Sequence, residues 1–188
     1  MTTETIISIF LGIGLAASTG FRIFLPLFVL SLASYFDIWN LNENWEWVGS
    51  ISALMILGIA TLIEIFAYYM PYIDNLLDTM SVPLAAIAGT AVMVSTVANL
   101  GPEITWALAI IAGGGAAAAI SGASGATRLA STATTAGIAN PVISTVETVA
   151  ALTTSIVTMF LPIVGFVLVL LIVFIIFKIF KKIKKTSP

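Results

Sequence analysis

The sequence predicts an all-α fold, a polytopic membrane helix bundle, and three observations predict it. Of its 188 residues 60% are hydrophobic and only 9% charged, and the mean hydropathy is +1.14, far outside the range of soluble globular domains. Charge-free stretches run from Trp47 to Ile63, Thr79 to Pro102, Ile104 to Thr127 and Thr148 to Phe177, against the ~20 apolar residues that cross a hydrocarbon core as a helix. Lipid offers backbone groups no partners, and the alternating pattern of a barrel strand is absent, so these stretches are expected to be helices. A single transmembrane domain over residues 1–188 follows.

Six hydrophobic segments can be drawn, at roughly 5–36, 48–70, 72–99, 103–136, 141–161 and 162–184. MTTETIISIF, at the start, lacks the basic region and small-residue cleavage site of a secretory signal, so the first segment is expected to stay as a helix. Asp37 to Trp47 is an acidic, Trp-rich loop whose indoles suit the headgroup level. Pro71, Pro102, Pro141 and Pro162 each fit a helix start, where the missing N–H is not needed, and Asn140 before Pro141 fits an N-cap. The first and fourth segments exceed a plain span. Both are expected to be broken, tilted or folded back, the first near Gly20 and Pro26, the fourth near Gly113-Gly114-Gly115, Gly122 and Gly125. If both were re-entrant, four true crossings would remain. The five lysines all lie between Lys178 and Lys185, which marks the tail, 178–188, as cytoplasmic. With six crossings the N-terminus is expected to be cytoplasmic too, and the Trp loop outside.

Ala17-Ser18-Thr19-Gly20-Phe21-Arg22 is echoed by Ala123-Ser124-Gly125-Ala126-Thr127-Arg128, and Pro71-Tyr72-Ile73-Asp74 by Pro141-Val142-Ile143-Ser144. Three segments per half would make the second half, 101–180, inverted relative to the first, 1–100, as in transporters with broken helices. The spacing differs, since Arg22 to Pro71 spans a helix that Arg128 to Pro141 does not.

Charge inside a membrane is costly, and such residues face the bundle interior, pair, and mark function. Arg22, Glu64, Arg128 and Glu147 qualify. Asp74 and Asp78 lie one turn apart on one face, near a helix start that favours their ionised form. Under the six-segment topology Glu64, Asp74, Asp78, Arg128 and Glu147 converge on the cytoplasmic half, with Arg22 nearer the middle. One reading is a water-accessible cavity where two arginines face up to four carboxylates; the other is a set of structural ion pairs, Arg22 and Arg128 with Glu64 and Glu147. Ser124, Arg128, Thr132 and Thr135 recur at helical spacing, a hydroxyl stripe that carries the arginine. GGGAAAA, Gly113 to Ala119, fits close helix packing.

Neither cysteine nor histidine is present, so no disulfide framework, zinc or haem site, or Ser-His or Cys-His catalysis is expected. No loop cradles phosphate with a lysine, and neither a cofactor nor a nucleic-acid partner is expected. A hydrolase would have to rest on Asp74 and Asp78, which fit capping charges better. The protein is not expected to be an enzyme.

Around STATTAGIANPVISTVE (Ser131–Glu147), GFRIFLP (Gly20–Pro26) and EIFAYYMPYIDNLLD (Glu64–Asp78), the chain resembles a bacterial membrane family catalogued as domain of unknown function four-one-two-six. The resemblance covers nearly the whole chain and brings no established activity. It implies a bacterial cytoplasmic membrane location, a charged pair where this chain has Tyr68-Tyr69, and an acidic residue where it has Thr148.

Three functions remain open. The first is a small transporter or channel, as a homodimer, in which Arg22 and Arg128 with Ser124, Thr132, Thr135 and Asn140 bind a small polar or anionic solute or ion, while Glu64, Glu147, Asp74 and Asp78 serve a coupling proton or cation. The second is a translocase for a lipid with a phosphate headgroup, which a lateral opening between helices would favour. The third is a structural or assembly protein with every charge paired and no cavity.

Overall fold

The computed structural model describes residues 2–70 and 73–186, and the side chains among them except at 176, 177 and 179–186. Pro71 and Tyr72, expected at a helix start, and the side chains of the basic tail beyond Lys178 lie outside that set. The elements are α1 (Thr3–Ser18), α2 (Phe24–Tyr35), a 3-10 turn (Glu43–Gly49), α3 (Ile51–Ala67), α4 (Ile73–Thr96), α5 (Pro102–Leu108), a π-helical stretch (Ala109–Gly114), α6 (Gly115–Thr135), α7 (Asn140–Phe160) and α8 (Pro162–Thr186). No strand occurs among the described residues.

The molecule is apolar outside and polar within. Ile111, Leu129 and Phe66 are 76%, 68% and 67% exposed, whereas Arg22 and Arg128 are 0% and 2% exposed. Three helices, Ile73–Thr96, Pro102–Thr135 and Asn140–Phe160, are long and apolar enough to cross a membrane, and the 3-10 turn with α3, bent by 64°, makes a fourth if taken as one span. These helices fit a multi-pass membrane protein, with lipid against the exposed apolar faces.

The first expected segment is broken, and it folds back. Thr2 caps α1 by accepting from the Thr5 N–H at 3.2 Å. α1 then runs antiparallel to α4: Asn99 Nδ2 donates to Glu4 at 3.0 Å, the Ala98 N–H to Ser8 at 3.0 Å, and Thr19 Oγ1 to the Ala85 carbonyl at 3.3 Å. α2 returns towards the end from which α1 came, its start beside Glu64 and its Ser31 hydroxyl on the Val48 carbonyl at 2.6 Å. Leu11, Leu15, Leu30, Val92 and Met159 pack between the two arms and their neighbours.

The fourth expected segment is not folded back. It is continuous from Pro102 to Thr135, and its irregularity is the π stretch, which absorbs a register change without reversing the chain. There the backbone touches α4: a Cβ on Gly113 would lie 2.7 Å from the Gly89 carbonyl oxygen, and one on Gly89 2.8 Å from that of Gly113.

This geometry bears on the expected sidedness and on the echo. α3, α4, the Pro102–Thr135 helix, α7 and α8 run end to end in alternation, whereas the α1–α2 hairpin enters and leaves by one end. The N-terminus and the Trp loop, which is tied to α4 through Asn42 Nδ2 on the Val94 and Val97 carbonyls, therefore share one end, and the C-terminal end of α8 is at the other. The termini thus lie at opposite ends of the bundle, and the echoed helices run in the same direction, α1 parallel to α6 and α4 to α7, because the hairpin adds a reversal that six plain crossings lack.

Candidate functional site

The hairpin tip, Thr19 to Ile23, is non-helical backbone deep in an apolar protein, which membrane proteins tolerate only where protein surrounds it. Thr19 and Arg22 are fully buried. Gly20 permits the approach to α6, since a Cβ there would lie 2.6 Å from the Ala117 carbonyl oxygen and 2.6 Å from Ile120 Cβ. The first N–H groups of α2 have no partner within the helix. Glu64, from α3, supplies one: its carboxylate accepts from the Ile23 and Phe24 N–H groups at 2.7 and 3.0 Å, a negative charge at a positive helix end.

Arg22 extends from the tip to α7. Its Nε donates to Thr148 Oγ1 at 2.9 Å, and Nη2 to the Ser144 carbonyl and hydroxyl at 2.8 and 2.5 Å. Its Nη1 lies 3.7 Å from Glu147 Oε2. Arg128 of α6 meets that oxygen through Nη2 and the other carboxylate oxygen through Nε at 3.3 Å; its Nε is also 3.6 Å from Asp78 of α4. Glu147 is thus shared by both arginines. The ring of Tyr68 lies between them, its centroid 4.1 Å from the Arg22 guanidinium carbon and 4.3 Å from that of Arg128, within cation–π range. Nη1 of Arg22 and Nη1 of Arg128 are buried with no hydrogen-bond partner among the described residues.

Three spaces adjoin the cluster. A cavity of about 10 Å3, lined by Thr19, Glu64, Tyr68, Ser121, Ser124 and Arg128 among others, has room for about one water. A vestibule of about 400 Å3 at the α3–α4 and α6–α7 end is lined by Tyr68, Tyr69, Asp74, Thr132 and Asn140, so Tyr68 walls both. A groove of about 290 Å3 between α6 and α7 is lined by Phe21, Ala123, Ser124, Thr127, Val146 and Glu147 among others. A larger apolar groove of about 550 Å3, near Trp45 and Trp106, has no ionisable side chain in its wall.

The sequence matches the family described as domain of unknown function (DUF4126) over residues 9–182. The chain belongs to this family. No curated protein and no solved structure matches it. The DUF4126 match encloses every residue of the cluster, from Arg22 to Thr148.

Of the residues singled out in this DUF4126 chain, Arg22, Arg128, Glu147 and Asp78 meet directly, with Glu64 and Ser124 on the small cavity. Asp74, Asn140 and Thr132 form a second group in the vestibule, Asn140 Nδ2 donating to Asp74 at 3.2 Å and to Thr132 at 3.1 Å. Asn140 is not the N-cap: that position is Ala139, without a side-chain cap, and Asn140 is the first helical residue. Thr135 joins neither group. It donates to the Ser131 carbonyl at 2.8 Å and accepts from the Ala139 N–H at 3.2 Å, closing the α6–α7 turn.

Tyr68, Ser144 and Thr148 are site residues that the sequence does not single out. Ser144, Glu147 and Thr148 share one face of α7 at i, i+3 and i+4, a spacing present in the sequence. Tyr68 and Thr148 stand at two of the positions where the resemblance implies charge, and both touch arginine.

Proposed function

We propose that the protein is a small carrier of the cytoplasmic membrane for a solute bearing an anionic group, with Arg22 and Arg128 holding that group and Glu147 the carboxylate it displaces. The observation that carries this reading is the pair of buried arginines on one carboxylate, with Nη1 of Arg128 lacking any hydrogen-bond partner among the described residues and Nη1 of Arg22 reaching no closer than 3.7 Å to Glu147. An ion cluster evolved only to lock helices would use its donors, because a buried unsatisfied polar group costs about 1–3 kcal/mol, and more when charged. An incoming anion supplies the missing acceptor. Glu147, displaced from the arginines, is the group that would carry a proton across with the solute. Solute and proton are thereby coupled. The basic tail orients the vestibule end towards the cytoplasm and the N-terminus outward.

The test is purified protein in vesicles loaded with a pH-sensitive dye and exposed to inorganic phosphate, acetate or glutamate outside. At least one anion acidifies the lumen faster with the wild type than in protein-free vesicles, into which acetate leaks on its own as the neutral acid, and Glu147→Gln moves it without the proton. Tight vesicles through which no anion of the panel passes, unchanged from protein-free controls, would sink the proposal.

A further inference from the structure

The carrier reading admits two routes to the arginines, and they differ in what can use them. The aqueous route, from the vestibule, is narrowed by the Tyr68 ring, which lies between the guanidinium groups and forms part of both walls. The other route is sideways. The α6–α7 groove carries Val142 and Val146 at its exposed rim, 65% and 62% accessible, on faces that meet lipid. Its inner wall includes Phe21, Ser124 and Glu147, and the same three side chains line the small cavity beside Arg128. An ion pair meant only to hold helices together gains nothing from bordering an apolar, lipid-facing groove, where an ionised carboxylate is poorly solvated. A ligand that is anionic at one end and apolar at the other fits both surfaces at once.

Resting on the carrier reading above, we infer that the solute is a phospholipid: its phosphate takes the place of the Glu147 carboxylate on Arg22 and Arg128, and an acyl chain lies in the α6–α7 groove and continues into the bilayer. Guanidinium nitrogens match phosphate oxygens in geometry as well as charge. The tail never leaves an apolar medium. Small hydrated anions have to pass the Tyr68 ring to reach the same arginines, whereas the headgroup enters from the side.

The experiment uses vesicles with traces of fluorophore-labelled phosphatidylglycerol, phosphatidylethanolamine or the phosphate-free glucosylceramide, and dithionite as the quencher of outward-facing label. With the wild type both phospholipids become bleachable beyond the outer leaflet, and glucosylceramide moves at least about tenfold more slowly, since a polar site left unmatched can discriminate by up to about 10,000-fold or more. Val146→Trp and Ala123→Trp, which fill the groove, slow phospholipid movement about tenfold. Leu129→Trp, on the exposed face of α6 outside the groove, does not, and monodisperse elution of each variant shows that it is folded. Bleaching that stops at the outer leaflet with the wild type, or movement indifferent to phosphate and to the groove variants, overturns the lipid assignment. If lipid stays put while free phosphate or acetate crosses in a manner sensitive to Glu147→Gln, the carrier reading stands and only the lipid falls.

Discussion

At the residue scale, Arg22, Arg128 and Glu147 are legible in the sequence because an ionisable group in an apolar run has to be compensated by another. Their partners are less legible. Ser144 and Thr148 are ordinary membrane-helix residues until a guanidinium arrives from 122 and 126 positions away, and Tyr68 gains its role only from the two cations on its faces. Glu64 misleads in the opposite sense, its carboxylate bonding main-chain N–H groups instead of the arginines. Removing one member of the Arg128–Glu147 pair leaves the other buried and uncompensated, so Arg128→Met alone is expected to lose about 3–5 kcal/mol, and Arg128→Met with Glu147→Gln clearly less. Denaturation in detergent by rising SDS measures both; a double variant at least as unstable as the single would contradict it. The chain contains no cysteine, so Ser124→Cys gives a single reporter beside the cavity. A membrane-impermeant thiol reagent is expected to label it about tenfold faster in a Tyr68→Ala background, as a closed state gives way to an open one, while Tyr68→Phe keeps the ring and the slow rate. Equal rates in all three backgrounds would remove Tyr68 from its blocking role.

At the element scale, glycine and proline marked where the two overlong segments depart from a plain helix without telling how. The distinction lies in partners elsewhere in the chain. α2 can begin anew at mid-depth because Glu64 of α3 accepts from its first N–H groups, whereas Gly113 lies against α4 and nothing comparable caps a break there. Glu64→Ala is therefore expected to loosen the hairpin tip, read as faster amide exchange at Phe21 to Leu25, with protection of α7 retained; unchanged exchange at the tip would deny Glu64 this part. The glycines themselves differ sharply. A Cβ on Gly115 meets nothing within 4 Å, while one on Gly113 collides with the Gly89 carbonyl and Met93. Gly115→Ala should be neutral or stabilising by up to ~1 kcal/mol through helix propensity, and Gly113→Ala destabilising by about 1–3 kcal/mol. A thermal shift series resolves them, and the reverse order would refute the close approach of α4 and the π stretch.

At the scale of the whole molecule, composition and the apolar runs point to a helical membrane protein, but the sidedness does not follow from counting apolar segments. One re-entrant hairpin changes the parity, puts the two termini at opposite ends and makes the echoed helices run in parallel. Epitope tags at either terminus, probed with antibody in intact and permeabilised spheroplasts, should react on opposite faces, the N-terminal one without permeabilisation. Both tags on one face would require a different path for α1 and α2.

The contacts of Arg22 also set an order in time. The hairpin that carries it is made before α7, and Ser144 and Thr148, which accept from it, follow 122 and 126 positions later. Until α7 emerges from the ribosome, the cation at the tip of this apolar hairpin lacks the hydrogen-bond acceptors of Ser144 and Thr148 and the Glu147 carboxylate, so the hairpin is expected to reach its final depth only after its own synthesis. Chains cut short before Asn140 should be recognised by membrane proteases, and those extended through Phe160 should survive, which makes the arrival of α7 the committing event of biogenesis.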